Sequence, residues 1–502
     1  AAGLGFSTWT ALKERRARQR AEEAERAADT AKQILSDVLE GVDPSVARGR
    51  DTTVLKELLG KISERVDTGL TNQPGVEVGL RMTLGKVYKA LGNYDQAAAV
   101  LQQALNVARR SWGDDSRAVG FSLSLLARVL IQQGKLDEAE AAYKDAVRIL
   151  NQSKETDYLE MSALLIDMSA PLALKGRLDE AEPLLKRGIA LRRRGLGTND
   201  SSVAVGLNNL ANLLHAQGRL EEAEAAMEEA LAIDRELLPP VHPNLATKLL
   251  NLATLVQRRG KLPEAEKLYN EVLGMQREIL GEEHADISLT LHNLSTLLRE
   301  DRRLEPAEEY ENKAIAMRRK VAPGPHPFLA RYLGNLALIL ADRDKLSDAE
   351  KAAHEAVTIC SNLFGNDHTD VARALDTLAR VLHKQNKLVE GEATARQARA
   401  IFENKTPNDP RTFTARVTLG EIQLAQDRYS DAEPLLRAGW EGLEARKSIL
   451  NVSDQERLKS ALKGLAQICE HTNRPSEAAH WRQKLAELDG KRKVSLPPGS
   501  EQ

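Results

Sequence analysis

Four histidines recur at a constant spacing that first suggests a metal site. His242, His284, His326 and His368 are each separated by 42 residues. Consecutive units of a helical repeat are offset by about one helix diameter, ~10 Å, whereas zinc holds each ligand nitrogen at ~2 Å. The histidines stand in "PVHPN", "EEHAD", "GPHPF" and "NDHTD", each just before a helical pattern. The spacing therefore predicts a turn and capping role rather than a metal site.

Four asparagines form a second ladder with the same spacing. Asn209, Asn251, Asn293 and Asn335 each stand directly before a Leu-Ala or Leu-Ser pair. A side-chain amide both donates and accepts hydrogen bonds, so it can hold the backbone of an extended peptide. The alternative is a structural ladder in which the asparagines bond only to neighbouring repeats. The sequence leaves both interpretations open.

The sequence contains no convincing catalytic motif. "ADRDKL" at residues 341–346 superficially matches the catalytic loop of a protein kinase but lacks the Asn that such a loop needs for magnesium. The 502 residues contain no glycine-rich phosphate loop, no DFG and no G-x-S-x-G elbow. Cys360 and Cys469 are too far apart in sequence for a disulfide framework or a metal cluster, so we expect two inert buried thiols. The sequence thus predicts no catalytic residue, no metal and no cofactor.

Composition narrows the class of partner. Apolar residues make up 42% of the chain, charged residues 29% and aromatic residues only 4%. A core of this composition is built mainly from leucine and alanine, which suits closely packed helices. The formal net charge is −2, so a general role in binding nucleic acid is not expected.

The ladders belong to a repeat that organises most of the chain. Turn positions recur every 42 residues, with glycine in the first five units and other residues later; they are Gly92, Gly134, Gly176, Gly218, Gly260, Arg302, Asp344 and Asn386, followed with small slips by Asp427 and Asn473. An alanine usually follows five residues later. Each unit has two apolar stripes of helical spacing around this turn, which predicts ten pairs of helices over residues 76–487. The connection "EARKSILNVSDQERL" before the last pair is unusually long.

This pattern resembles the tetratricopeptide repeat (TPR). The long units, with "NNLANLL", "HPNLA" and "AEAAMEEALAI", are similar to the repeats of kinesin light chains. The resemblance implies an all-α fold, a right-handed superhelix (α-solenoid), that acts as a scaffold for a protein or peptide. It also implies that the first helix of each pair lines a concave groove. The candidate peptide-binding residues are then Asn209, Asn251, Asn293, Asn335, Asn212, Arg331, Arg373 and Arg380, and the arginines favour an acidic peptide.

The chain ends have their own signals. Residues 1–12 are apolar, and a basic cluster follows at once, which fits either the end of a truncated transmembrane helix or an ordinary helix start. Residues 13–45 read as a basic, alanine-rich helix whose apolar stripe over 21–39 suits a dimerising coiled coil or a helix that caps the repeats. We expect a capping helix over 46–75 and a disordered tail over 488–502.

The N-terminal part also resembles a larger assembly. "FSTWTALKERRARQRAEEAERAADTAKQILSDVLEGVDPSVARGRD" followed by the first repeat looks like the segment after the membrane helix in bacterial membrane-anchored Ser/Thr kinases with TPR tails. That resemblance implies a regulatory C-terminal half tethered to the inner membrane, and the basic cluster favours a cytoplasmic array. The alternatives are a stand-alone cytoplasmic adaptor similar to kinesin light chain, which links cargo or a filament to a partner, and a regulator docked on one enzyme.

Overall fold

The computed structural model describes residues 73–152 and 158–494, together with residues 59, 60, 62 and 66. Within these ranges the regular secondary structure is helical throughout. Twenty α-helices alternate as first and second members of ten pairs, which confirms the all-α prediction and the number of repeats.

The helices that open the ten pairs are α1 Pro74–Ala90, α3 Arg117–Gln132, α5 Tyr158–Leu174, α7 Ser201–Ala216, α9 Pro243–Arg258, α11 Ala285–Glu300, α13 Pro327–Asp342, α15 Thr369–Lys384, α17 Pro410–Ala425 and α19 Val452–His471. The helices that complete them are α2 Tyr94–Trp112, α4 Leu136–Gln152, α6 Leu178–Leu196, α8 Leu220–Leu237, α10 Leu262–Leu280, α12 Leu304–Val321, α14 Leu346–Phe364, α16 Leu388–Lys405, α18 Tyr429–Glu444 and α20 Pro475–Val494.

The turn between the two helices of a pair has the same backbone in every repeat. Its central residue has positive φ, which glycine adopts without steric cost. Glycine stands there in the first five pairs, whereas Arg302, Asp344, Asn386, Asp427 and Asn473 take the same conformation with φ between 57° and 63°. The repeat geometry therefore persists after the glycine is lost, as the register of the sequence predicts.

The small residue five positions after the turn lets the paired helices approach closely. Ala97, Ala139, Ala223 and Ala265 are fully buried, and Gly391 takes this position in the eighth pair. Leucine, valine and isoleucine from both helices fill the space on either side. The core lies between the helices, and within each compact unit neighbouring pairs bury part of it against each other.

The chain divides into two compact units, residues 1–206 and residues 207–502. In the described part, no helix combines the length and the apolar character needed to cross a membrane. The predicted segments 1–12, 13–45 and 21–39, and all but a few residues of the capping helix at 46–75, lie outside the described residues.

Two expectations near the C-terminus differ from the structure. The long connection before the last pair is shorter than the sequence suggested, because α19 already begins at Val452 with Asn451 as its cap. The connection is therefore residues 445–451, with a single 3-10 turn at Lys447–Ile449. The last helix runs to Val494, beyond residue 487 where the repeats were expected to end, and residues 495–502 of the expected tail lie outside the described residues.

Candidate functional site

The histidine ladder caps helices. The Nδ1 atom of each histidine accepts a hydrogen bond from the backbone N–H two residues later, at 3.1 Å for His242, His284 and His326 and at 3.2 Å for His368. Asp409 takes the same role before α17, with Oδ1 2.8 Å from the Arg411 nitrogen. The bond satisfies one of the free N–H groups in the first turn of the helix. The predicted capping role is thus confirmed.

The asparagine ladder is not uniform. The Asn251 amide donates to the Asn208 side-chain oxygen at 3.0 Å, and the Asn208 amide lies 3.5 Å from Asn209 Oδ1. Asn335 donates to Glu311 Oε2 at 3.0 Å, and that carboxylate is completely buried. The bonds of Asn251 and Asn335 join neighbouring repeats, as the structural alternative describes, whereas the contact of Asn209 lies within its own helix.

Two of the candidate asparagines lack such contacts. No hydrogen bond joins the Asn293 side chain to another described residue, although the residue is partly buried. Asn212 is exposed on α7 and also has no bonded partner within the described ranges. Of the four ladder members, Asn293 therefore has the amide most available to a ligand.

Asn293 lines a cavity of about 440 Å³ in the second unit. All its lining residues except Tyr269 lie on the first helix of a pair or, for Asn451, at the cap just before one. Besides Asn293 and Asn335, the lining includes seven arginines: Arg258, Arg299, Arg331, Arg373, Arg380, Arg411 and Arg457. Only three carboxylates line the same cavity, those of Glu300, Asp376 and Asp454. We refer to this space as the arginine cavity.

Four of these arginines are held by carboxylates. The pairs are Arg299 with Asp342 at 2.8 Å, Arg373 with Asp370 at 3.0 Å, Arg411 with Asp409 at 2.7 Å, and Arg457 with Glu421. Such charge-assisted bonds fix the guanidinium planes and their orientation. The cavity wall is therefore ordered before any ligand arrives.

Arg331 and Arg380 are different, because they have no hydrogen bond to any described residue, whereas Arg258 bonds to His215 and to the Ile449 carbonyl. The Arg331 guanidinium lies 4.5 Å from the centre of the Phe328 ring, and its buried Nε has no hydrogen-bond partner. Burial lowers the pKa of Arg331, and the charge of Arg373 lowers it further. Burial also lowers the pKa of Arg380, to about 10, with the Arg457 charge as the next cause. Both positive charges are thus poorly compensated in the structure.

One carboxylate of the cavity is unfavourably placed as well. Burial raises the pKa of Asp454 to about 6, and the nearby Asp409 charge adds to the rise. The charges of Arg258 and Arg380 act in the opposite direction but do not cancel the desolvation. Asp454 lies at the start of α19, where its own backbone nitrogen donates to Asn451 Oδ1 at 2.8 Å.

The cavity gathers some sequence candidates and leaves others out. Asn293, Asn335, Arg331, Arg373 and Arg380 line it, whereas Asn209, Asn212 and Asn251 do not. Sequence reasoning missed Arg258 and Arg299, because the neighbouring repeats have no arginine at the equivalent positions. It also missed Arg411 and Arg457, which are equivalent to each other but lie 46 rather than 42 residues apart. A search for any arginine on the groove side of the first helices, rather than for a repeated one, would have found them.

A cluster of potential metal ligands lies elsewhere in the second unit. Glu433, Cys469 and Glu477 bring their ligand atoms within 4.8 Å of one another. Glu433 is already compensated, since Arg474 and Arg437 both bond to it. Cys360 and Cys469 are both buried, as the sequence predicts, and burial raises the pKa of both thiols. The cluster is best described as an ion-paired network.

Solved structures with a similar fold come from several protein groups. The apo form of the quorum sensor NprR from B. thuringiensis is 12% identical, over 73% of this chain and 99% of that one, with a TM-score of 0.52. A protein from Podosopora anserina described as a kinesin light chain with nearly identical TPR-like repeats is 22% identical, over 42% of this chain and 99% of that one, with a TM-score of 0.37. BtubC (BKLC) from P. vanneervenii is 20% identical, over 54% and 92%, with a TM-score of 0.33. No curated protein sequence gave a significant match.

The sequence itself matches a known family. The tetratricopeptide repeat family matches residues 79–152, 160–236, 244–320 and 328–404. These segments together cover more than half of the chain, and each spans two of the helix pairs described above. The chain therefore belongs to the tetratricopeptide repeat family.

Proposed function

We propose that this chain is a scaffold without catalytic activity of its own, and that its second unit binds an acidic segment of a partner protein or peptide in the arginine cavity. The observation that carries the proposal is the excess of arginine over carboxylate in the cavity lining. TPR folds in general hold protein or peptide partners, so the fold and the charge agree on the class of ligand.

The arginines that lack carboxylate partners provide the driving force. Desolvation of Arg331 and Arg380 costs free energy that the protein alone does not recover. A ligand carboxylate between them would recover it through charge-assisted hydrogen bonds, each worth about 1.5–3 kcal/mol. Arg373 and Arg411, already oriented by their own carboxylates, would add a favourable field around the ligand.

The amide of Asn293 supplies a contact of another kind. A side-chain amide with no protein partner can bond to both the N–H and the C=O of an extended ligand backbone. Asn335 lines the same cavity but is engaged with Glu311. We therefore assign ligand contact to Asn293 and a supporting role to Asn335.

The proposal is tested with a fluorescently labelled hexaglutamate peptide and the whole chain. We expect anisotropy to show binding that weakens as salt is raised, because the attraction is electrostatic. The double variant Arg331→Gln with Arg380→Gln should bind at least ~30-fold more weakly, since it loses charge-assisted bonds. The same variant should not be less stable, because it removes two desolvated charges.

The matched control is Arg319→Gln on α12. Arg319 is exposed and pairs with Glu355 at 2.6 Å, away from the cavity lining. Its loss should leave binding unchanged. Equal weakening by the control and the double variant would mean that the peptide responds only to overall charge, and it would reject the cavity as the site.

The kind of larger protein to which this scaffold belongs is also a proposal. The kinase-like N-terminal resemblance supports a regulatory half of a bacterial Ser/Thr kinase, tethered to the inner membrane and dimerising through residues 21–39. The alternative is a stand-alone adaptor of the kinesin light chain kind, and the TPR family supports both. The sequence upstream of Ala1 in the gene separates them: kinase motifs before a membrane helix support the first, and a start codon near this position supports the second.

A further inference from the structure

The connection between the ninth and tenth pairs folds back onto distant repeats. We call residues 445–451 the strap. The Arg258 guanidinium, at the end of α9, donates a hydrogen bond to the backbone carbonyl of Ile449, although the two residues are 191 positions apart. One anchor of the strap is thus its own backbone, as in a bound peptide; others are the buried Leu450 side chain and the bond from Arg446 to the Asn408 carbonyl.

A second contact fixes the strap at the turn of the fourth pair. A Cβ atom added to Gly218 would lie 2.5 Å from the Ser448 carbonyl oxygen. The equivalent glycines of the other pairs, Gly92, Gly134, Gly176 and Gly260, would meet nothing within 4 Å. All five have the same positive φ, so the backbone conformation is common to them and the close approach is particular to Gly218.

A second hydrogen bond orients the Arg258 guanidinium toward a backbone carbonyl. Its other terminal nitrogen lies 2.6 Å from His215 Nε2. Burial lowers the His215 pKa to about 4, and the Arg258 charge lowers it further, so the ring is neutral at pH 7 and can accept from the guanidinium. This bond fixes the Nη1 atom of Arg258, while the Nη2 atom donates to the Ile449 carbonyl.

The strap leads directly into the arginine cavity. Asn451 ends the strap, and Ser453 and Asp454 follow in the first turn of α19; all three line the cavity. Asp454 thereby places a carboxylate of the protein near Arg258 and Arg380. The protein thus presents to its own groove the two features proposed for the ligand, an extended backbone and an acidic side chain.

We propose that the Arg258 guanidinium is a subsite for a backbone carbonyl of an extended peptide, and that the strap, which also packs against Gly218, occupies this subsite in place of the partner. A partner segment bound in the arginine cavity extends into the subsite and displaces the strap. This inference rests on the proposed function and adds to it a second point of contact and an internal competitor. The ligand is an extended peptide with acidic side chains at one end.

The experiment uses two matched glycine variants of the whole chain. Gly218→Ala and Gly260→Ala carry the same backbone penalty, because both place a Cβ at a positive φ of nearly equal size. Only Gly218→Ala also collides with the strap. We expect faster amide hydrogen exchange in residues 446–451 of this variant and about fivefold tighter binding of the labelled hexaglutamate peptide, because the competent state is more populated. Gly260→Ala should change neither quantity.

The other possible results reject either this inference or the proposed function. Faster exchange in the strap with unchanged or weaker peptide binding would overturn the inference, because the strap would then be a structural clasp. Unchanged exchange, both in Gly218→Ala and in the bulkier Gly218→Val, would overturn it as well, because the contact would not hold the strap. Absence of peptide binding in the wild type and in every variant would reject the proposed function, and the inference with it. Binding that is equal in all variants would reject the inference alone.

Discussion

Two ladders of one 42-residue period behave differently in this molecule. The histidines make the same contact in each repeat, with a backbone nitrogen two residues away. The asparagines make a different contact in each repeat, and one of them, Asn293, makes none with the described residues. A contact within one repeat is copied whenever the repeat is copied. A contact with the neighbouring repeat depends on which side chain that repeat presents, so it varies.

The comparison also shows where function is expected in a repeat protein. The arginine cavity is built from residues of several repeats, and three of its seven arginines, Arg258, Arg299 and Arg380, have no counterpart in neighbouring units. Residues that define the repeat, such as the turn glycines and the packed alanines, maintain the geometry. We expect binding where a residue departs from the repeat, as Arg380 does, or makes no contact with a neighbouring repeat, as Asn293 does.

After the double variant Arg331→Gln with Arg380→Gln, we expect the largest change in peptide affinity from Asp454→Asn. The variant removes a negative charge beside Arg258 and Arg380, so hexaglutamate should bind about five- to tenfold more tightly at pH 7.5. The groups facing Asp454 are Asp409, Arg258, Arg380 and Arg411. The measurement is peptide affinity as a function of pH.

The direction of the pH effect follows from the raised pKa. The folded protein binds the proton of the Asp454 carboxyl more tightly than the unfolded chain does. The ionised Asp454 therefore destabilises the fold above pH 6, and this destabilisation disappears as the pH falls toward 4. The advantage of Asp454→Asn over the wild type should therefore shrink when affinity is measured at pH 5. An advantage of the same size at both pH values would show that charge is not the cause.

Asn293→Ala and Asn335→Ala separate the two roles within the asparagine ladder. The first variant should bind the peptide about fivefold more weakly with unchanged stability, as expected for one neutral hydrogen bond. The second should lower the free energy of unfolding by about 1–3 kcal/mol, because the buried Glu311 loses a donor. Urea denaturation and peptide anisotropy measure the two quantities. If both variants lose only stability, the ladder is purely structural.

His242→Ala tests the other ladder and should have the smallest effect on binding. Loss of the bond to the Asn244 nitrogen should cost about 1 kcal/mol of stability, and His242→Asp should restore most of it, since aspartate is a good cap. Peptide affinity should be the same in all three proteins. A loss of affinity in His242→Ala at constant fold would assign this edge of the second unit a part in binding.

The repeats were predictable because the sequence encodes them locally. Turn residues, alanines and apolar stripes recur with one period, and they give ten helix pairs without knowledge of any long-range contact. The histidine caps were predictable for the same reason. Arg331, Arg373 and Arg380 were found as candidates because they lie on first helices, and Arg331 and Arg373 are one period apart.

The rest of the site depends on how the second unit curves. Arg258 meets Ile449 across 191 residues, and no local pattern announces that contact. The role of Gly218 was hidden as well, because in sequence it is identical to the other turn glycines. Whether an asparagine bonds to a neighbour or faces open space is decided by the side chain opposite, which a repeat pattern does not specify.

Hydrogen exchange of the whole chain, with and without hexaglutamate, tests the central claim most directly. The account predicts slower exchange in the first helices around Asn293, Arg331 and Arg380, and faster exchange in the strap at residues 446–451, with no change in the second helices. Protection confined to the second helices, or to residues 73–152 of the first unit, would contradict the claim that the arginine cavity is the binding site.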